Sequence, residues 1–469
     1  MKQFIGRKQE LQALETAYQQ QGFQMTIVYG RRRLGKSTLL QQFVRDKKCV
    51  FYTAIRSSIE RNLTLLGQRI LQSLSPSLAG MSFDTLDQML LFLTKESQKE
   101  RLILVIDEFP YLAEQDPSIL SVLQKYIDTQ WLHGELYLIL CGSSVSFMED
   151  EVLSEKSPLF GRRTSQIRLE PFSYLEAAEF VPRYTAEEKA ICYGVTGGVA
   201  KYLSLLDDAK PLDNNIIDLF FSKAGYLFEE PSNLLTQEFR NISTYSAVIE
   251  AVASGKTKQS EIADATHLDV TTVSHALHNL LVTNIIKKEL AITEESNKKK
   301  TRYTLADTMF KFWYRFIPGA IDIISMGKGK IYYDTVVRPN LSDYMGPIFE
   351  TMCRYYTLLQ GIEGRFNCLI TKVGRWWGTN PQKKEETDID VVGLDPIGKN
   401  AVLGECKFKN EILNKKVFEA LKERDGLIDH QYHTTQYLLF SKSGFSPWIL
   451  EHASQEKILP ISLETMYHQ

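Results

Sequence analysis

The segment FQMTIVYGRRRLGKSTLLQQFV, Phe23–Val44, decides the fold. Its apolar run Met25–Tyr29 reads as a short buried strand, the glycine-bearing stretch after it as a loop, and the residues from Lys36 onward as a helix. Strand, loop and helix in that order are the context that G-x-x-x-x-G-K-[ST] requires, and Gly30–Ser37 match it. Gly30 and Gly35 let the loop turn its N–H groups inward around phosphate oxygens, and the helix N-terminus adds a field that favours negative charge. Lys36 is then expected at the β- and γ-phosphates of ATP, and Ser37 is expected to offer its hydroxyl to Mg²⁺. Arg31, Arg32, Arg33, Leu34 and Thr38 are expected at the nucleotide by their place in the loop and first helical turn. The three arginine side chains read as solvent-facing charge with no role of their own.

Two further strands supply candidate partners for this loop. RLILVIDEF is apolar from Leu102 to Ile106 and ends in two carboxylates, as a buried parallel strand does when it delivers acids to the sheet's C-terminal edge. Asp107 is expected to hold Mg²⁺, and Glu108 to orient or deprotonate the attacking water. ELYLILCGSSVSFM places Ser143 and Ser144 at a strand end, either as a γ-phosphate sensor or as a simple turn. In PLFGRRT, Arg162 and Arg163 are either a solvated pair or candidates for an arginine finger, acting within the chain or toward a neighbouring copy in a homo-oligomer.

Four segments together, FIGRKQEL (Phe4–Leu11), GRRRLGKS (Gly30–Ser37), LVIDEF (Leu104–Phe109) and CGSS (Cys141–Ser144), make the N-terminal half resemble the archaeal-type branch of the STAND and AAA-like P-loop ATPases. The resemblance implies that Phe4, Gly6 and Arg7 cap the adenine side of the pocket. It also implies a small helical lid around GGVAKYL, Gly197–Leu203, where Ala200 stands in place of the more usual proline.

Composition sets the outer bounds. A chain of 469 residues is expected to form two to four domains of about 100–200 residues each. Its hydrophobic fraction of 43% and charged fraction of 24% are those of a globular protein, and a net charge of -2 excludes a globally basic nucleic-acid coat. No apolar run reaches the roughly 20 residues that cross a bilayer, and the N-terminal segment lacks a signal-peptide core, so a cytoplasmic protein that does not engage a membrane is expected. The six cysteines show neither Cys-x-x-Cys spacing nor neighbouring histidines, which argues against a zinc site or a disulfide framework.

From Tyr245 the pattern changes to short amphipathic helices. Ile262 and Ala263, then Val273, Leu277, Leu280 and Leu281, fall at helical spacing on one buried face, while Thr271, Thr272, Ser274, His275 and His278 form the polar one. Ile285–Leu290 and Thr301–Leu305 then pair around the charged tip EESNKKKTR, so a winged helix-turn-helix is the economical reading. Its helix suits base edges and phosphates, and Lys298, Lys299, Lys300 and Arg302 suit a DNA backbone; protein recognition is the alternative.

The aromatic ADTMFKFWYRFI reads as core. The C-terminal unit begins with a helix at Leu341, followed by strands near 368–373, 389–394 and 401–408, a helix near 414–428 and a strand at 436–441. If Leu394 pairs with Ala401, Asp390 falls opposite Glu405 and Asp388 opposite Lys407, with all four side chains on one face. Such a cluster either binds a divalent cation or forms a ladder of cross-strand ion pairs. The spacing of Asp390, Glu405 and Lys407 after a helix bearing Glu350 resembles the PD-(D/E)xK nuclease fold, with Ile389 where a proline usually precedes the first acid. That resemblance implies Asp390 and Glu405 as metal ligands, Glu350 as an auxiliary ligand and Lys407 as the residue that positions water. The expected α/β architecture is therefore a P-loop NTPase parallel sheet (1–170), a helical lid (171–240), a winged helix-turn-helix (241–316), a connector (317–340) and a PD-(D/E)xK nuclease-like domain (341–469). The expected function is an ATP-hydrolysing, DNA-associated switch controlling that last domain, or an ATP-gated regulator in which it is silent.

Overall fold

The first sheet holds five strands, β1 (Gln24–Tyr29), β2 (Cys49–Thr53), β3 (Leu102–Asp107), β4 (Leu136–Gly142) and β5 (Ser165–Arg168). The structure is a computed structural model and describes residues 4–78, 80–132, 134–293, 301–381, 383–428 and 430–468. All five strands pair in parallel in the order β2-β3-β4-β1-β5. Strands β1, β3 and β4 are buried along their whole length, which is why they read as unbroken apolar runs: a parallel sheet with both faces covered has no solvated side to alternate with. Their C-terminal ends carry Tyr29, Asp107 and Gly142 to one edge, where the loops carrying ligand-binding groups of such sheets gather.

The chain divides into two units, one running through Phe172 and taking in Val199–Lys201, the other made of Ser173–Gly198 and the chain from Tyr202 onward. The second unit contains the helices Ile242–Ala253, Gln259–Thr266 and Val270–Val282, followed by the antiparallel pair β6 (Ile286–Glu289) and β7 (Arg302–Leu305). Ile262, Ala263, Val273, Leu277 and Leu280 are buried. Leu281 is only half-buried, while Thr271, Ser274, His275 and His278 are exposed. Lys298, Lys299 and Lys300 lie outside the described residues. Arg302, expected at a nucleic-acid backbone, instead lies over the Trp377 ring at 4.7 Å. The aromatic helix Thr308–Phe316 buries Met309, Phe310, Phe312 and Phe316 as core.

The helix expected from Leu341 spans Arg338–Ile362 and covers a mixed sheet in the order β12-β11-β10-β9-β8. Its strands are β8 (Lys372–Asn380), β9 (Glu385–Asp395), β10 (Asn400–Lys407), β11 (His433–Ser441) and β12 (Ile458–Ser462). Strands β8, β9 and β10 are antiparallel neighbours, whereas β10, β11 and β12 run parallel. Strand β8 starts at Lys372 rather than near 368, because the apolar signal there belongs to Ile370, a core anchor outside the strand. Strand β12 escaped prediction because Pro460 breaks its pattern, a residue tolerated on an edge strand where a missing N–H costs no ladder bond. The helix expected near 414–428 ends at Lys422, with Asn414 as its cap.

Candidate functional site

The loop after β1 has the conformation its glycines foretell. Gly30 has φ 148°, and a Cβ there would stand 2.5 Å from the carbonyl oxygen of Leu169, so no other residue fits without a backbone shift. Gly35, at φ 88°, caps the Lys36–Phe43 helix. Lys36 is buried, and its Nζ donates to the carbonyls of Gly30 (2.7 Å) and Arg31 (2.9 Å), so the loop curls around the ammonium. Ser37 Oγ donates to Asp107 Oδ2 at 2.7 Å. A hydroxyl and a carboxylate so placed are hard oxygen donors, and they fit Mg²⁺ chemically.

Glu108 takes a left-handed backbone conformation, φ 52°, and its N–H donates to Asp107 Oδ1 at 3.1 Å. Its Oε2 accepts from Ser143 twice, from Oγ at 2.6 Å and from the N–H at 3.3 Å. Ser143 therefore holds the glutamate. Arg7 is buried rather than open: it donates to the carbonyls of Leu34 (3.2 Å) and Glu170 (2.7 Å) and lies 4.0 Å over the Phe172 ring, fastening the loop from outside. The N–H of Lys201 donates to the Arg33 carbonyl at 3.1 Å, so the segment with Ala200 in place of proline still touches the loop. Thr38 lies in the first turn of the Lys36–Phe43 helix.

One arginine expectation needs correction. Arg31 is not solvent-facing; it is 4% exposed. Arg32 reaches Tyr111 Oη at 3.2 Å. Arg162, a candidate for an arginine finger or for one of a solvated pair, makes a two-pronged ion pair with Asp128, Nε to Oδ1 at 2.8 Å and Nη2 to Oδ2 at 2.7 Å, a carboxylate matching the planar guanidinium fork. Arg163 donates to the Leu153 carbonyl.

In the second unit, Leu394 does pair with Ala401, and the ladder runs to Val391 and Gly404. Asp390 and Glu405 follow next. Here β8 and β9 lose register: Gly374 faces Val392 but Trp376 faces Ile389, so Asp390 and Val391 together oppose Arg375. Such a bulge re-aims side chains. Asp390 Oδ2 accepts the N–H of Cys406 at 3.0 Å, and Lys407 Nζ donates to Glu405 Oε1 at 2.6 Å. Burial, then the nearby charges of Glu405 and Glu350, push the Asp390 carboxyl up to about 7. Burial works to lower the Lys407 ammonium, but Glu405 outweighs it and the pKa ends raised.

Asp388 departs from expectation: its carboxylate pairs with Arg375 instead of facing Lys407. Glu350 has Arg354 at 3.6 Å and Arg375 at 4.0 Å. Arg375 and Arg424 were missed by sequence reasoning because no spacing rule ties them to the acids they reach; Arg354 was missed although it stands one helical turn from Glu350, a spacing that could have found it. Among the described residues no group of three or more His, Cys, Asp or Glu side chains is arranged to hold a metal ion. The pair Asp390 and Glu405 nevertheless fits one in donor chemistry, since Glu405 Oε2 is buried and accepts no hydrogen bond of good geometry.

A family model described as an ATPase domain predominantly from Archaea matches residues 4–206, and one described as Archaea and bacterial proteins of unknown function matches residues 313–422. An uncharacterised protein of Methanocaldococcus jannaschii is 28% identical over 442 residues, 94% of this chain and 95% of the relative. An uncharacterised ATP-binding protein of the same organism is 42% identical over 45 residues, 10% of this chain and 76% of the relative. A Walker-type ATPase of Pyrococcus abyssi shares the fold at TM-score 0.52 and 19% identity, over 66% of this chain and 96% of that one. Among the described residues no helix is long and apolar enough to cross a membrane. The loop geometry, the family match and these likenesses agree on the fold: residues 4–206 are similar to a P-loop ATPase domain found predominantly in Archaea, and residues 313–422 to a domain of archaeal and bacterial proteins of unknown function.

Proposed function

We propose that this chain is an ATP-hydrolysing, cytoplasmic switch acting on DNA, whose nucleotide state controls a metal-dependent nuclease-like domain at residues 341–469. In the first unit, the N–H groups of Gly30–Lys36 and the Lys36 ammonium hold the ATP phosphates, and Ser37 and Asp107 hold Mg²⁺, which neutralises phosphate charge. Glu108 orients water and accepts its proton. The exposed face of the Val270–Val282 helix meets DNA as part of a winged helix-turn-helix at 241–316. Residues 171–240 serve as the lid and 317–340 as the connector. Arg162 or Arg163 reaches nucleotide in a neighbouring copy once its present partner is released.

The observation that carries the nuclease reading is the convergence of Asp390 and Glu405 on adjoining strands with Lys407 Nζ 2.6 Å from Glu405. Asp390 and Glu405, with Glu350 as auxiliary, hold a divalent cation that polarises the phosphate, while Lys407 positions the water. The water oxygen bonds to phosphorus and gives up a proton to solvent as one bridging P–O bond breaks, and the departing oxygen takes a proton from solvent. The test is cleavage of linear and plasmid DNA by the full chain with Mg²⁺ or Mn²⁺, with and without ATP. Metal-dependent cleavage abolished in Glu405→Gln and Lys407→Ala is expected. ATP turnover and DNA binding without cleavage would instead establish a regulator with a silent C-terminal domain, the reading favoured by the cations that already engage Glu405.

A further inference from the structure

Arg424 stands just beyond the Lys415–Lys422 helix, and all three of its guanidinium nitrogens have a carbonyl or carboxylate to face. Nε donates to the Ala420 carbonyl at 2.8 Å and Nη1 to the Asp388 carbonyl, so two backbone groups fix the plane of the guanidinium. Nη2 faces Glu405 Oε2 at 3.1 Å, outside hydrogen-bonding geometry. The other Glu405 oxygen takes Lys407. Glu405 is thus matched by a cation at each oxygen. Asp390, beside it, receives the Cys406 N–H. The Arg424 side chain is only 16% exposed and that of Glu405 only 9%, so water screens this pair poorly.

We infer that Arg424 is a phosphate-binding residue of this site, which occupies Glu405 as a counter-cation until a divalent metal displaces it; the inference rests on the metal-dependent reading above. With a divalent cation held by Asp390 and Glu405, the charge of these carboxylates would be neutralised and the Nη2 edge of the guanidinium would be left without its anion. That edge faces Glu405, and a phosphodiester entering the site would bring the next anion within its reach. A planar fork suits a phosphate, and its two backbone anchors mean that little side-chain entropy is lost on binding. The arrangement has a signature that a merely structural arginine lacks. A fixed positive charge 3.1 Å from a metal-binding oxygen weakens metal binding when nucleic acid is absent, yet strengthens nucleic-acid binding once metal is present.

Arg424→Gln tests this, because an amide can still donate to a backbone carbonyl while the charge is gone. Nucleotide-free full-length chain is titrated with Mn²⁺ by calorimetry, counting only the heat that Glu405→Gln abolishes. Duplex oligonucleotide binding is followed by anisotropy in Ca²⁺. Arg424→Gln should bind Mn²⁺ about ten-fold more tightly and duplex about ten-fold more weakly, the scale of one partly screened charge pair. Arg424→Lys should return both values toward wild type. Unchanged or weaker Mn²⁺ binding in Arg424→Gln overturns the inference and leaves the metal site standing; should Arg424→Gln not fold, the charge-free Arg424→Met takes its place, and Mn²⁺ binding by it no tighter than wild type does the same. A wild-type chain with no Glu405-dependent Mn²⁺ heat overturns both.

Discussion

Ser143 Oγ donates a 2.6 Å hydrogen bond to Glu108 Oε2, tying the end of β4 to the residue after β3. The same oxygen accepts the Ser143 N–H, so Glu108, already in a left-handed backbone conformation, has its carboxylate aimed by its neighbour strand. Glu108→Gln should retain ATP binding while turnover falls by about 10²–10⁴-fold, the usual worth of a general base. Ser143→Ala keeps the base but loses its stronger anchor. Its kcat should fall by roughly ten-fold with nucleotide affinity nearly unchanged. Steady-state turnover and nucleotide titration on both variants check this; equal kcat in wild type and Glu108→Gln would remove Glu108 from the mechanism.

Lys36 Nζ bonds two loop carbonyls, Gly30 and Arg31, and nucleotide phosphates would compete for the same three donors. Charge-assisted hydrogen bonds contribute about 1.5–3 kcal/mol each. Lys36→Ala should therefore weaken ATP binding by roughly 10²-fold or more, read by calorimetry. Retention of wild-type affinity would show that the loop binds phosphate through its backbone alone.

Asp390 carries the clearest pH signature. Its carboxyl is raised to about 7, against about 3.9 in an unfolded chain. Between those values the folded chain keeps a proton that the unfolded chain has lost, so stability falls as pH rises from about 4 to about 7, by up to about 4 kcal/mol. Asp390→Asn should lose that slope, and saturating Mg²⁺ should flatten it in wild type by favouring the charged form. Urea unfolding across this range measures it. Parallel curves for wild type and Asp390→Asn would mean that the carboxyl titrates normally.

Arg302 and the neighbouring lysines should behave differently. With Arg302 stacked on Trp377, Arg302→Ala should cost stability, on the order of 0.5–1 kcal/mol, with little change in the salt dependence of DNA binding. Replacing Lys298, Lys299 and Lys300 with alanine should flatten log K against log salt by about 0.9 for each DNA phosphate that these lysines neutralise. An unchanged slope after the triple replacement would assign this segment to protein recognition.

Groups carried by adjacent residues were legible in the linear chain. Gly30, Lys36 and Ser37 lie in one short stretch running from the loop into the first helical turn, and their placement follows from spacing and from the backbone freedom that Gly30 needs. Asp107 was legible because a fully buried strand ends in a carboxylate. The pairing of Leu394 with Ala401 followed from a short turn between apolar runs. Which distant groups meet was set by packing. The bulge opposite Arg375 aims Asp390 and sends Asp388 to Arg375. The turn after the Lys415–Lys422 helix brings Arg424 to Glu405, Asp128 takes Arg162, and Ser143 takes Glu108. No periodicity encodes such meetings, because they depend on how separately ordered elements pack, and a guanidinium or hydroxyl on one element will satisfy whichever buried acid the packing presents.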